Sequence, residues 1–412
     1  MGSIDKESLY APNPYSELFD AHGTIGFSLA GFIARIPLPM TGIGIITMLS
    51  QLRGSYGLAG AVAATFVLTY ALLSPQISRL VDRHGQGRVL PTAAGISVLG
   101  ILLLVACSHW QMPDWILFIG AVLAGFMPSM SAMVRARWTV IYRGEPRLQT
   151  AYSLETVLDE VTFIAGPPMS VGLSVALFPQ AGPLVAAVLL AFGVLAFVVL
   201  RGTEPPIEQS DAALDSSGSV IRLADVRLLT LLMIAMGIIV GTVDIVSVAF
   251  AEQMGRPAAA SFVLSAYAIG SCLAGLLFGA LKLKTPMHQL LLIGGLATAA
   301  TTLPLLLAGN IVGLAGAVFV AGLFFAPTMI VTMSLVERIV PENKLTEGMT
   351  WLLAGLNIGV AMGAAVSGQV VDMEGARGGF SVALVAGGAV LLVALWCYRR
   401  MREHASTVSY SV

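Results

Sequence analysis

Charge is what this sequence has least of. Asp, Glu, Lys and Arg supply 11% of its 412 residues, against 57% hydrophobic residues. A water-soluble domain carries roughly 25% charged residues. So few charges cannot cover a water-facing surface of this size, which excludes a soluble globular protein and leaves lipid as the solvent. Cysteine is scarce as well. Cys107, Cys272 and Cys397 lie far apart in apolar segments, which excludes a disulfide framework and a thiolate metal site. A basic stripe interleaved with aromatics is missing, and with it nucleic acid as a partner. The opening MGSIDKESLYAPNPYSELFD has no apolar core, so it does not read as a cleaved signal peptide. Without a Walker loop, a nucleophile–base pair or a metal cluster, the chain is not expected to be an enzyme, to hold a metal or cofactor, or to be driven directly by ATP.

What the chain has in abundance is long apolar runs. A membrane helix needs about 20 mostly apolar residues. Twelve such runs are predicted, at 24–48, 57–78, 90–108, 116–140, 150–176, 182–200, 227–250, 259–281, 288–308, 310–336, 346–371 and 378–398. With the N-terminus in the cytoplasm, 18 of the 22 Lys and Arg residues fall inside. Only Arg53, Arg256 and Arg377 fall outside, and Arg35 lies within run 1. Positive charge collects on the cytoplasmic side of membrane proteins. A wrong helix count would scramble the asymmetry, so it supports twelve runs and cytoplasmic termini.

The longest polar stretch, from Arg201 to about Asp225, contains TEPPIEQSDAALDSSGS and divides the runs six and six. Such a composition buries too little apolar surface to order itself fully. The expected organisation is a cytoplasmic segment at 1–22, a six-helix bundle at 23–200, a linker at 201–225, a second bundle at 226–398 and a tail at 399–412. The halves look related. Ala124-Gly125 followed by Pro128 recurs as Ala321-Gly322 followed by Pro327, and Arg53-Gly54 has a counterpart in Gly255-Arg256. Both offsets are near 200 residues, the trace of a duplicated transporter fold.

Between runs 2 and 3 the chain reads Ser78-Arg-Leu-Val-Asp82-Arg83-His84-Gly85-Gln86-Gly87-Arg88. This resembles the signature loop of the major facilitator superfamily, GxLxDRxGRRxxL. Leu80, Asp82, Arg83 and Gly85 match. Ser78 replaces the first Gly, Gln86 and Gly87 replace two basic residues, and Arg88 follows one place later. The resemblance implies an all-α membrane protein of two six-helix halves, with runs 1, 4, 7 and 10 around a central cavity. It implies that Asp82 latches onto run 11 near Thr346-Glu347 and holds an outward-facing state. A carboxylate also suits the partial positive charge of a helix N-terminus on physical grounds. Gly166-Pro167 in run 5 resembles a remnant of the exporter motif GxxxGPxxGG, with Thr162, Ser170 and Val171 where glycine is usual. Asp82, Arg83, Gly85, Arg88, Arg135, Arg137, Gly166 and Pro167 are the expected gating residues. The resemblance extends to bacterial drug or metabolite:proton antiporters. It implies a monomer in the bacterial cytoplasmic membrane, with a small-molecule substrate, protons and lipid as its partners.

An ionisable group at the centre of a membrane helix costs about 2.5–3.5 kcal/mol on insertion scales, so each asks for a partner or a wet cavity. Arg35, followed by Pro37 and Pro39, lies about 16 Å from the cytoplasmic end of run 1 at 1.5 Å per residue. Run 5 carries Glu155, Asp159 and Glu160, and Glu155 and Asp159 share a face. A network of Arg35, Arg135, Glu155, Asp159 and Glu160 is expected. One reading makes one of its carboxylates a proton carrier; another makes the cluster a permanent brace. Asp244, alone in the second half, is a further candidate for the proton or for substrate. Met127, Met130, Tyr70, Tyr267, Trp351 and Asn357 complete the expected substrate contacts beside Arg35. Flexible Met suits varied apolar ligands. Proton-coupled export of an amphiphilic compound is the first expectation, and carriage of one anionic metabolite, motivated by Arg35, is the second. Run 11 also carries Gly355, Gly359, Gly363 and Gly368, a small-residue face for sliding or for static packing.

Overall fold

The computed structural model describes residues 14–54, 56–206, 219–256, 259–281 and 285–409. The segment 1–13, the linker core 207–218 and positions 282–284, with Lys6, Lys282 and Lys284, lie outside the described residues. The described chain is helical throughout, as a backbone in lipid must be to satisfy its own hydrogen bonds. Run 1 forms α1 (Thr24–Arg35) and α2 (Pro37–Arg53), and runs 2 and 3 form α3 (Tyr56–His84) and α4 (Gln86–His109). Run 4 forms α5 (Asp114–Ala124) and α6 (Met130–Tyr142). Then come α7 (Arg147–Ala176), α8 (Ala181–Val199), α9 (Ala224–Gln253) and α10 (Ala259–Ala280). Run 9 forms α11 (Met287–Ala300) and α12 (Leu303–Leu306), run 10 forms α13 (Ile311–Ile339), and runs 11 and 12 form α14 (Leu345–Ser409). Gly375, at φ +78°, turns the chain between the two parts of α14.

Among the described residues, ten helical spans are long and apolar enough to cross a membrane. Two of the twelve predicted runs depart from that pattern. Run 4 is not the continuous helix expected over 116–140: it breaks across Gly125–Ser129, where Pro128 has no N–H to donate. Run 5 is a full helix, α7, whose first half carries Arg147, Glu155, Asp159 and Glu160. Run 1 breaks at Ile36, because Pro37 and Pro39 cannot donate to the carbonyls of Ile33 and Arg35. Large apolar side chains such as Leu99, Phe192, Leu296 and Leu392 point outward and are more than half exposed, a surface for acyl chains rather than water.

Glycine sets the tightest packing, between α9 and the first part of α14. A Cβ on Gly359 would lie 2.1 Å from the Ile234 carbonyl oxygen, and one on Gly237 2.1 Å from that of Leu356. Gly241 and Gly363 are equally confined, whereas Gly368 faces open space. The glycine face of run 11 is thus a backbone-to-backbone seam inside one half.

Candidate functional site

The breaks in runs 1 and 4 sit beside α7 and assemble a buried charge cluster. Arg35, the last residue of α1, reaches α7. It pairs with the Glu155 carboxylate, and its Nη1 lies 2.9 Å from Asp159 Oδ1. Arg135, fully buried on α6, approaches Asp159 Oδ2 at 2.8 Å. Ser131, one turn earlier, donates to Asp159 Oδ1 at 2.6 Å, and Trp138 Nε1 donates to Glu155 Oε1 at 2.8 Å. The break in run 4 therefore places a helix first turn, with its partial positive charge, beside Asp159. Two arginines and two carboxylates balance, and neighbouring donors satisfy the acids' remaining oxygens. Gly166 lets α7 approach this region closely, since a Cβ there would meet the Pro39 ring at 2.8 Å. Pro167 follows it inside α7.

Glu160 does not join the cluster. It is turned about 100° from Asp159 around the helix and accepts a hydrogen bond of 3.0 Å from Ser271 on α10, in the other half. Asp244 on α9 is exposed, and no partner bonds it among the described residues. Tyr267, one turn from Ser271 on α10, is only 8% exposed and lies within electrostatic reach of both Glu160 and Asp244. Its ring centroid is 6.0 Å from that of Phe325 on α13. The titratable groups around Glu160 are Asp159 on its own helix, Asp244 from α9, and Tyr267 and Cys272 from α10. Arg35 and Arg135 face Asp159 instead, and α13 has no titratable residue before Glu337.

The halves are joined by polar contacts gathered toward the end that the positive-inside count assigns to the cytoplasm. Asp82 Oδ2 accepts the Glu347 N–H at 2.8 Å, in the first turn of α14, and Ser78 and Thr350 share a hydroxyl hydrogen bond of 2.7 Å. Arg143 reaches Glu337 at 3.0 Å and also pairs with Glu342. Gln149 and Thr150 of α7 donate to the carbonyls of Phe278 and Gly279, closing α10 at 2.8 and 2.6 Å. Tyr15 donates to the Leu276 carbonyl at 2.5 Å; burial pushes its pKa up to about 12, so it remains a donor at physiological pH. Gly85 makes the Asp82 turn possible. Its φ of +85° and ψ of 154° belong to a region kept for glycine. At the opposite end Val248, Met362 and Val366 are exposed.

The other expected site residues disperse. Arg83 and Arg88 are exposed. Arg137 turns from the acids toward α8, where it donates to the carbonyls of Leu200 at 2.6 Å and Phe197 at 3.1 Å. Its guanidinium also lies 3.8 Å above the Phe197 ring. Met127 and Met130 are buried in the core. Tyr70 is buried facing Ser129 and Asp159. Trp351 belongs to the closed end, donating to Glu347 Oε1 at 3.4 Å, and Asn357 is half-buried. Sequence reasoning missed Ser131, Trp138 and Ser271. Ser131 and Trp138 carried a signal, one helical turn either side of Arg135; Ser271 carried none.

The sequence profile of the Major Facilitator Superfamily matches residues 27–256 and again 229–410, so the chain belongs to that superfamily of membrane transporters. Solved structures share the fold at low identity. The Escherichia coli fucose:proton symporter FucP is 15% identical with a TM-score of 0.69, over 90% of this chain and 98% of that one. A bacterial homologue of the iron transporter ferroportin, in an outward-facing state, is 15% identical with a TM-score of 0.71, over 92% and 99%. The human organic anion transporter MFSD10 (TETRAN) is 13% identical with a TM-score of 0.68, over 94% and 100%. No curated protein sequence matches the chain closely enough to count as a relative. The chain is therefore a multi-pass membrane transporter.

Proposed function

We propose that the chain is a proton-coupled secondary transporter that exports a small amphiphilic compound across the bacterial cytoplasmic membrane. In this reading α5–α6 and α7 complete twelve membrane helices, arranged as bundles at 23–200 and 226–398 around a cytoplasmic linker at 201–225. Both termini are cytoplasmic, and the captured state faces outward. The observation that carries the reading is the position of Glu160 and Asp244, acids without a cation on the facing surfaces of two halves that must close over them. Closing over an ionised carboxylate costs several kcal/mol, which protonation removes. Proton binding thereby permits the outer mouth to close. The balanced cluster around Asp159 keeps its charges throughout and supports a bracing role. Arg35, already engaged by two carboxylates, offers little to an anionic substrate.

The test needs no substrate. Spin labels at Trp110→Cys and Leu307→Cys, both widely exposed, in a variant lacking the three native cysteines, report the width of the outer mouth. Their separation is expected to shorten on acidification, and to stop responding in Glu160→Gln/Asp244→Asn. A mouth that ignores pH in the parent protein sinks the coupling.

A further inference from the structure

We infer that Gln86, Gly87, Arg137 and Glu204 are positioning residues of the gate at the Asp82 end, where the start of the linker sets the Asp82 turn against α14. The inference rests on the reading above that this end is closed in the outward-facing state, and adds what holds the closing turn in place. Gln86 and Gly87 are the two positions where the loop departs from the basic residues of its family pattern. Each departure has a partner. Gln86 is buried; its Oε1 accepts from Arg137 Nε at 2.8 Å, and its Nε2 donates to the Met133 carbonyl at 3.1 Å. A lysine or arginine there offers no acceptor and sets a second cation against a buried guanidinium. Gly87, in the first turn of α4, donates its N–H to Glu204 Oε1 at 2.7 Å. First-turn N–H groups have no partner within their own helix, and their partial positive charge favours a carboxylate. A Cβ on Gly87 would lie 3.3 Å from Glu204 Oε2, so a larger residue crowds the contact.

Arg137 joins the loop to the linker. Besides Gln86 it donates to the Leu200 carbonyl at 2.6 Å and to Thr203 Oγ1 at 2.8 Å, so one guanidinium holds the loop and the residues where the linker begins. Pro205 and Pro206, next in the chain, line a cavity shared with Asp82, Arg143, Asn343 and Thr346. The far end of the linker holds the other side of the gate. The Val220 N–H donates to Glu347 Oε1 at 3.2 Å, and the Ser219 hydroxyl donates to the same oxygen. The Glu347 N–H is the group that Asp82 accepts. Each member of the Asp82–Glu347 contact is therefore braced by one end of the linker.

Spin labels at Thr92→Cys on α4 and Arg227→Cys on α9, both exposed, in a full-length variant lacking the three native cysteines, report the width of this end. Gln86→Lys and Glu204→Ala are each expected to raise the ratio of long to short separations about tenfold, the worth of one hydrogen bond to a charged group. Gln86→Glu and Glu204→Gln retain an acceptor and are expected to stay close to the parent distribution. Asp82→Ala, which removes the gate contact itself, is expected to widen the end and serves as the reference. Parent-like separations in Gln86→Lys and Glu204→Ala, while Asp82→Ala widens, overturn the inference and leave the gate in place. Lower unfolding temperatures without widening have the same meaning, since they make these residues structural only. Equal widening in the acceptor-retaining variants also overturns it. Parent-like separations in all of them, Asp82→Ala included, remove the gate and the inference together. Glu204 is half-buried, so Glu204→Ala decides the question if Gln86→Lys fails to fold.

Discussion

At the scale of single residues, six membrane acids and arginines fall into two groups, four bonded to one another and two without a cation. Asp159 is bonded to both Arg35 and Arg135, and its removal leaves two buried guanidiniums with one carboxylate. Breaking a buried ion pair from one side costs about 3–5 kcal/mol. Asp159→Asn is therefore expected to lower the thermal unfolding temperature in detergent far more than Glu160→Gln or Asp244→Asn, whose carboxylates have no cation to abandon. Comparable losses in all three variants would show that the cluster is not a brace. The sequence located four members of this cluster, because Glu155 and Asp159 share a helix face and Arg35 and Arg135 lie at matching depth. It misplaced Glu160, because helical phase shows where a side chain leaves its own helix but not which helix waits there. Arg137, two residues after Arg135, takes a different direction. The C-terminal end of α8 offers it unpaired carbonyls and a phenyl ring, which its sequence neighbourhood does not show.

At the scale of elements, composition marked the helices and proline marked their breaks. Pro37, Pro39 and Pro128 remove hydrogen-bond donors, and runs 1 and 4, each predicted as one span, break beside them. Pro128 has the counterpart Pro327, and α13 runs unbroken through Pro327. The two sites share a local sequence and differ in what packs around them, so the difference was not legible in the chain. The glycines of run 11 were ambiguous for the same reason, since spacing shows a small face but not its partner. The structure pairs it with α9 at backbone contact. Gly359→Ala would force a methyl to within 2.1 Å of the Ile234 carbonyl oxygen. Overpacking of this kind costs about 1–3 kcal/mol or more. Lower yield and a lower unfolding temperature are expected for Gly359→Ala, with Gly368→Ala close to the parent. The reverse order would place the seam elsewhere.

At the scale of the whole molecule, polar contacts tie the halves at one end. The Asp82 turn, held by Gly85, closes that end against the start of α14, with Ser78 and Thr350 one layer further in. This contact was legible from the resemblance of the loop to its family pattern. The ties through Arg143, Gln149 and Thr150 were not, since each joins residues more than 120 positions apart and no repeat or motif links them. If the halves rock about the site, this end must open in every cycle. Ser78→Cys/Thr350→Cys in a variant lacking Cys107, Cys272 and Cys397 is expected to form a disulfide on mild oxidation. Transport by reconstituted vesicles should then stop, and return on reduction. Undiminished transport by the crosslinked protein would refute opening at this end.

The balanced cluster of Arg35, Arg135, Glu155 and Asp159 has an electrical consequence. Two positive and two negative charges that travel together carry no net charge through the membrane field. One elementary charge moved across 100 mV is worth about 2.3 kcal/mol. None of that work is done on the cluster when the first half tilts, however far it moves. If Glu160 and Asp244 carry the coupling as proposed, the voltage dependence of the transport cycle is set by those two carboxylates and what they bind, not by the cluster.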